Sequence, residues 1–501
     1  MDPSTIDQTL ELLKGAQVNP LNKAGITVGT GLVAFDLEPT AKLLYPVLTP
    51  LRNEIPRKST VPGAGKALNW RIVTAINSLG VFAGVSEGNR GGVITIAEAD
   101  KIATYKGLGL ENSVTFEADY AARGFDDVKA LAVRQGLESL MIAEEVMIVN
   151  GNTSLQLGTT STPVTGAVST TGGTLAASTT FFVYCVALTY DGYQRAGVTG
   201  GVVTGVMKTN ADASIDTFGG GTAAVSAVSN TATSTSATAT NSIPVTVAAT
   251  PGAFGYAWFW GTTTGVANAT LGAITLNNTF TITALATGTQ LANYTVTLNS
   301  VVFALSADHS TNALAFDGLI TQAISGGAYT RSLDGATLTA DGLGGVVEID
   351  VLLKYMWDNF RLAPEVMRVG GQCARDITKK VLAGNVNPAY RVNVSQDGLG
   401  NLTGGNLITT YLNKFALGGA TVLKIELHPF MQDGAILFDT KKNPYPNSNV
   451  GEVRRIITRQ EYNQTEWPLV SRKYQYGVYV DECLQVYVPF AFALMTNIAA
   501  G

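Results

Sequence analysis

The sequence predicts an α+β protein in which an all-β sandwich interrupts a body of mixed helices and strands. Two observations carry this prediction. Charged residues almost vanish in mid-chain, and helical and extended segments outside that region follow one another in runs instead of alternating as βαβ units. Between residues 151 and 310 the charged side chains are only Asp191, Arg195, Lys208, Asp212, Asp216 and Asp308. Composition therefore divides the 501 residues into 1–152, 153–310 and 311–501.

The sequence of the first part, residues 1–152, predicts an extended segment, a long hairpin and a long helix. Prolines recur through residues 19–62, and a β-branched run at 68–74 reads as a strand. A glycine-rich tip at 84–92 and a returning pair of strands at 94–116 complete the hairpin. The helix is predicted to begin at Asp126-Asp127, where acids favour a helix N-terminus, and to end at Asn150-Gly151.

This projecting hairpin has little core of its own. Ordering its residues costs on the order of 1.5 kcal/mol each. At about 25 cal/mol per Å², the compensating burial is on the order of a thousand Å² or more of apolar surface. A neighbouring subunit is the expected source of that surface. The alternatives are that the segment packs on its own domain or is flexible.

The middle part predicts short strands that form a β-sandwich. The runs at 181–190, 242–249, 255–262 and 279–285 are rich in β-branched and aromatic residues, and Gly, Asn and Ser separate them. A turn is predicted at Asp191-Gly192, after the first run. A guest domain of this kind is tolerated in a host when its two ends lie close together.

The last part mixes both element types. Helices are predicted over 345–360 and 372–382, and shorter strands over 365–369, 421–427 and 435–438. From 452 to 498 the chain reads as long strands.

Few residues offer catalytic chemistry. The net charge of −5 argues against a basic surface that binds nucleic acid. Of the two histidines, His428 is predicted to be structural and His309 to lie in a polar linker. Three widely spaced cysteines predict free thiols in a reducing cytoplasm. No catalytic residue, metal or cofactor is expected, so the chain is predicted not to be an enzyme.

Two further features concern partners. The N-terminus shows neither a basic region nor an apolar core of a signal peptide, and no apolar run approaches the roughly 20 residues of a membrane span. A local basic concentration comprises Arg454, Arg455, Arg459, Arg472 and Lys473. On antiparallel strands such charges are expected on a solvated or subunit-facing side, with nucleic-acid contact as the alternative.

Several stretches, in this order, resemble a major capsid protein of tailed bacteriophages, with the Hong Kong 97 type of fold. The stretches are FDLEPTAKLLYPVLTPLRNEIPR, GVSEGNRGG, ALAFDGLITQAISG, HPFMQDGAILFDTKKNPYP and LQVYVPFAFALMTNI. The insert is similar to an immunoglobulin-like or fibronectin-like sandwich through TPGAFGYAWFWGTT. It departs from antibody-type domains because Cys185 is its only cysteine.

The resemblance implies four regions: an N-terminal arm (1–60), an extended hairpin loop with a spine helix (61–152), the inserted Ig-like sandwich (153–310), and axial and peripheral domains (311–501). It implies a virion protein, assembled in the bacterial cytoplasm, that forms hexamers and pentamers of an icosahedral head around double-stranded DNA.

Implied partners are further copies of itself, a separate scaffolding protein, a portal, possible decoration proteins and packaged DNA bound without sequence specificity, with no membrane. The residues expected at contacts between subunits are Trp70, Arg71, Glu87, Arg90, Arg454, Arg455 and Arg459. The alternative is an exported surface-layer or adhesin protein whose Ig-like domain binds a ligand.

Overall fold

The computed structural model describes residues 48–60, 65–76, 84–91, 96–122, 127–234, 239–383, 395–396, 402–403, 407–443 and 450–501. Most of the predicted arm, the helix-initiating Asp126 and the last residue of the hairpin tip, Gly92, lie outside these ranges.

Seven α-helices lie in the described residues: α1 (Pro50–Glu54), α2 (Phe116–Ala121), α3 (Val128–Asn150), α4 (Tyr190–Arg195), α5 (Leu319–Ser325), α6 (Val347–Phe360) and α7 (Gly371–Ala383). The described strands are β1 (Arg57–Ser59), β2 (Ala67–Ile76), β3 (Ile96–Thr104), β4 (Lys106–Thr115), β5 (Val164–Thr165), β6 (Thr180–Leu188), β7 (Gly205–Thr209), β8 (Ile215–Gly219), β9 (Ala232–Thr233), β10 (Ile243–Thr246), β11 (Gly255–Gly261), β12 (Thr270–Thr275), β13 (Thr279–Ile282), β14 (Thr295–Leu298), β15 (Val301–Ala304), β16 (Tyr329–Ser332), β17 (Val366–Val369), β18 (Ser395–Gln396), β19 (Leu402–Thr403), β20 (Thr410–Asn413), β21 (Thr421–Leu427), β22 (Ile436–Asp439), β23 (Arg454–Glu466), β24 (Lys473–Val486) and β25 (Phe492–Thr496).

The chain divides into two compact units, Met1–Val47 with Phe116–Val128, and Leu48–Thr115 with Lys129–Gly501. In the first unit the structure describes helix α2, whose first turn carries Glu117 and Asp119. Acidic side chains there favour the helix because its N-terminal end is electrically positive. All of the sheets in the described ranges lie in the second unit.

The peripheral sheet has the order β1-β23-β24-β4 and packs on the long helix α3. Alternation along β24 turns Val478 and Val480 toward the core that contains Leu140 and Ile148 of the helix. The helix has 23 residues and is therefore roughly 35 Å long. The long helix and the closing strands that the sequence predicts are confirmed.

Strands β2 and β3 form the predicted hairpin, and neither has a third strand beside it in the described part of the sheet topology. Side chains at 67–72 and 97–104 are exposed or half-buried, and Ile102 is 66% exposed. At the root, Leu68 and Ala103 pack against a small cluster of Tyr105, Ile457 and Cys483. The hairpin therefore projects from the peripheral sheet as a two-stranded ribbon, and the packing of its described residues lies at its base.

The axial sheet has six strands in the order β16-β25-β22-β17-β21-β20. Its central strand β17 is buried along its whole length, as expected for a strand covered on both faces. Met356 of α6 and Ile377 of α7 pack in the same core as Phe438 and Phe492 of the sheet. The helices and strands predicted for this part are confirmed.

The described part of the insert contains four sheets, of which β13-β10-β5 and β12-β11-β6-β9 share one hydrophobic core. The other two are the hairpins β7–β8 and β14–β15. The ring of Trp258 stacks on Phe280 across that core at 6.1 Å. The turn predicted at Asp191-Gly192 is instead part of α4, because the hydroxyl of Thr189 caps that helix by accepting a hydrogen bond from the Gly192 N–H.

The two ends of the insert lie close together. The N–H of Gly318 donates to the carbonyl of Gly151 at 2.8 Å, and Asn312 donates to Asn152 at 2.8 Å. A Cβ added to Gly151 would lie 2.2 Å from the carbonyl oxygen of Phe316, so only glycine permits this approach.

The insert also packs on the body, which is the rest of the second unit. Phe254 of the insert is buried in the body's core, and its carbonyl accepts a hydrogen bond from the Gln432 amide at 3.0 Å. The Asn278 amide donates to the Asp334 carboxylate at 2.8 Å. The insert is therefore fixed to the body through an apolar anchor and neutral amides.

We expect Phe254→Ala to lower the free energy of unfolding by about 3–5 kcal/mol, because it empties a buried aromatic site. Denaturant unfolding of the full chain measures this loss. Leu285→Ala, at a 61% exposed position of the insert, is the matched control and should change little. Equal, small effects of both substitutions would show that the insert is only tethered to the body.

Candidate functional site

The residues whose side chains could bind a metal or act as nucleophiles have structural roles. No group of three or more His, Cys, Asp or Glu side chains in the described residues is placed to hold a metal ion. All three cysteines are buried, and burial raises the pKa of Cys185 well above its usual range and that of Cys373 and Cys483 to about 12. Thiols of this kind stay protonated and unreactive at neutral pH.

The histidines are also accounted for. His428 is buried, and its Nδ1 accepts from the Phe430 N–H, so Nε2 donates to Glu145 at 2.8 Å. The prediction of a structural His428 is confirmed. His309 does not lie in a polar linker but is half-buried in the insert, with its ring edge-on to Phe303 at 5.1 Å.

A short segment, which we call the strap (Leu48–Ser59, with α1 and β1), joins α3 to the peripheral sheet. Leu51 is fully buried, and the N–H groups of Leu51 and Arg52 donate to the Glu145 carboxylate at 2.8 and 2.7 Å. These are first-turn N–H groups of α1, which have no partner inside the helix. Glu145 therefore caps α1 from a different helix, with charge complementary to the α1 dipole.

Beside it, Glu144 is a fully buried carboxylate that binds the strap's arginines. It accepts from Arg52 Nε at 2.8 Å and makes very close contacts with the Arg57 guanidinium and the Tyr462 hydroxyl. Arg57 also donates to Glu482 at 2.8 Å. Burying carboxylates is unfavourable unless they are paired in this way.

A second buried group of charges holds the other end of α1. Arg368 donates to Glu54 and Glu426 at 2.8 Å each and to Asp439 at 3.2 Å. Arg454 donates to Glu54 at 2.9 Å and closely contacts Asp439. Burial alone would raise the pKa of Asp439, but Arg454 and Arg368 hold it below its ordinary value.

Arg454, which the sequence analysis places at a contact between subunits, is paired within the chain. Its side chain is only 4% exposed, and it shares the carboxylates of Asp439 and Glu54 with Arg368. Arg455 is half-buried over the Tyr487 ring. Arg459 is 38% exposed and pairs with Asp481 at the root of the hairpin.

The remaining predicted contact residues lie on the projecting hairpin. Arg71 is exposed and bridges across the ribbon to Asp100 at 2.7 Å and Glu98 at 3.1 Å. Trp70 is half-buried, and its indole N–H has no acceptor among the described residues. Glu87 and Arg90 are exposed in the tip turn. These residues share one projecting ribbon, so they are accessible to another molecule.

The strap and its acceptors were missed from the sequence. The available signal was the pair Glu144-Glu145, which interrupts the apolar stripe of α3 between Leu140 and Ile148. A charge on the buried face of a helix calls for a buried partner. Sequence spacing does not identify that partner, since Arg52 and Arg57 lie about 90 residues away.

No protein-family model matches the chain, and no curated protein matches it. Solved structures match over most of its length. The capsid of Myoviridae phage XM1 is 10% identical, aligned over 94% of this chain and 100% of that chain with a TM-score of 0.39. The Gordonia phage Cozz structure is 9% identical over 96% of both chains, with a TM-score of 0.39. The SrpI encapsulin of Synechococcus elongatus PCC 7942 is 8% identical over 96% of both, with a TM-score of 0.37.

Phage capsids are thus among the solved structures that this chain is similar to. Among the described residues, no helix combines the length and hydropathy that a membrane span requires.

We expect Glu144→Gln to destabilise the chain by about 3 kcal/mol or more, because it removes the buried counter-charge of Arg52 and leaves Arg57 with Glu482 alone. Thermal and denaturant unfolding measure the loss. Glu138→Gln on the same helix is the matched control, because its partner Arg134 is 67% exposed and such pairs contribute less than about 1 kcal/mol. A similar effect of both changes would contradict a structural role for the strap.

Asp439 should make the stability sensitive to acid. Its pKa is lowered in the folded state, so its stabilising contribution is present above the ordinary value of 3.8 and is lost as the pH falls below it. Asp439→Asn should be less stable than wild type at pH 7, and the difference should shrink toward pH 2. Asp358→Asn, in a half-exposed pair with Lys354, is the control. A difference independent of pH would contradict this assignment.

Proposed function

We propose that this chain is the major capsid protein of a tailed phage and assembles into the hexamers and pentamers of an icosahedral head around double-stranded DNA. The observation that carries the proposal is the hairpin β2–β3. Among the described residues it has no third strand and no buried side chain over 67–72 and 97–104, and its root packs on Tyr105, Ile457 and Cys483. Isolated two-stranded ribbons are marginal in water, so this ribbon needs a second molecule to cover it.

The anchoring of the ribbon supports the same conclusion. After the strap, the Thr60 N–H donates to Thr458 of β23 at 2.8 Å, and the Tyr105 N–H donates to Lys66 at 3.1 Å. The Arg459 guanidinium lies over the Tyr105 ring at 5.5 Å. A firm base beneath an uncovered ribbon suits an element that reaches over a neighbour and transmits the contact to its own subunit.

Contacts between subunits then involve Trp70, Arg71, Glu87 and Arg90 of the ribbon, with Arg455 and Arg459 near its base. Each contact is small, and a closed shell repeats it many times, so modest interfaces suffice for a stable particle.

The virion is the proposed location, after assembly in the host cytoplasm, and the role is structural and not enzymatic. A separate scaffolding protein, a portal and possible decoration proteins complete the proposed partners. DNA is proposed to contact the inner face without sequence specificity. The proposed domain division has four regions, 1–60, 61–152, 153–310 and 311–501. An adhesin role is disfavoured, because the insert is built into the body through Phe254.

Removal of the hairpin tip tests the proposal directly. We expect the full chain to form shells or capsomers in negative-stain images, alone or with a scaffolding partner. Replacing the described tip residues 84–91 by two glycines should abolish shells while leaving the thermal unfolding midpoint unchanged, because the tip is exposed in the single chain. The control is Lys354→Asp combined with Asp358→Lys, which reverses an exposed pair on α6.

A persistent monomer under all conditions, or normal shells from the shortened chain, would contradict the proposal. The contents of the particles separate a phage head from a protein-filled compartment of the encapsulin kind. Particles purified from infected or co-expressing cells should contain nuclease-protected DNA.

A further inference from the structure

A groove lies between the peripheral sheet and the turn of the β7–β8 hairpin of the insert. Its volume is about 1020 Å³, at the upper end of the range for small-molecule sites. Alternation along β4 turns Leu108 into the core and leaves Gly107, Gly109 and Glu111 on the groove side. The opposite wall is formed by residues 208–214 of the insert.

The floor of the groove is the ring of Tyr479, which lies against two glycines. A Cβ on Gly109 would come within 2.2 Å of the ring, and one on Gly477 within 2.3 Å. Any other residue at either position would displace the ring. The two glycines therefore let an aromatic ring lie directly on the sheet surface.

Trp467 stands perpendicular to this floor. Its ring makes an angle of 87° with Tyr479 at a centroid distance of 6.5 Å, and the residue is 41% exposed. Glu111 fixes both rings, accepting from the Trp467 indole N–H at 3.0 Å and from the Tyr479 hydroxyl. Burial and Glu111 raise the pKa of Tyr479 to about 12, so the hydroxyl remains a donor. The rings of Trp467 and Tyr479 are thus held in this arrangement without a ligand.

The rest of the lining is largely polar. The amides are Asn210, Gln460, Asn463 and Gln475, the further carboxylates are Asp212 and Asp481, and Lys208 is a cation at the same groove. Amides and carboxylates form hydrogen bonds with hydroxyl groups. Together with Glu111 the carboxylates outnumber Lys208, so the charge of the lining disfavours a phosphate-rich ligand such as nucleic acid.

We propose that this groove binds a short oligosaccharide. The apolar ring faces of two or three sugar units pack on Tyr479 and Trp467, and their hydroxyls hydrogen-bond to the amides and carboxylates around them. Rigid aromatic rings give contact area at a low entropic cost, and the anchoring by Glu111 lowers that cost further. Binding of the oligosaccharide does not depend on shell formation, because all of the residues that line the groove belong to one chain.

Binding to the unassembled full chain tests the proposal. Calorimetric titration with maltotriose, cellotriose and N,N′,N″-triacetylchitotriose should show saturable binding of at least one sugar, with a Kd of about 1 mM or tighter. Trp467→Ala should weaken it at least tenfold. Leu469→Ala, in the same loop, 59% exposed and outside the groove, should leave it unchanged.

Tyr479→Phe gives a second readout, because it keeps the ring and removes the bond to Glu111. This variant should still bind the sugar, but more weakly than wild type. No saturable binding of any of the three sugars, or equal binding by wild type and Trp467→Ala, would overturn the proposal. So would cysteine cross-linking from Val470→Cys in assembled shells that captures another copy of the chain in the groove, since the groove would then be a subunit interface.

Discussion

Two adjacent buried carboxylates, Glu144 and Glu145, are the constraint on which the body depends. They lie on the core face of α3, where an unpaired charge would be strongly unfavourable. Arg52 and Arg57 of the strap supply the counter-charges, and Glu145 takes the free N–H groups of α1. The position of the strap is therefore set by electrostatics as well as by the burial of Leu51.

The charge balance of this cluster shows why it is tightly specified. Glu144, Glu145 and Glu482 face only two guanidinium groups, and His428 donates from its Nε2. Burial raises the pKa of Glu482, against the attraction of Arg57, and one of its oxygens has no partner among the described residues. A proton on Glu482 would balance the cluster. Directional pairs of this kind fix one geometry, whereas an apolar contact would allow the strap to slide.

The elements with strong local patterns were predictable from the sequence. Helix α3, the ribbon β2–β3 and the aromatic strand β11 all follow from periodicity, glycines or β-branched runs. The ionic clusters were not predictable, because Glu54 and Arg454 are 400 residues apart in sequence. The burial of Arg454 was not predictable for the same reason. A charge on a strand is usually solvated, and only the fold shows that Asp439 lies beside Arg454.

The insert follows a different chemistry from the strap, and the contrast explains its composition. Its anchors to the body are the Phe254 ring, the Gln432 amide and the Asn278 amide, the last of these bonded to a carboxylate of the body. An apolar anchor with neutral donors requires no buried charge from the insert, so the insert can dispense with charge over its length. The scarcity of charge in mid-chain is therefore compatible with close packing on the body.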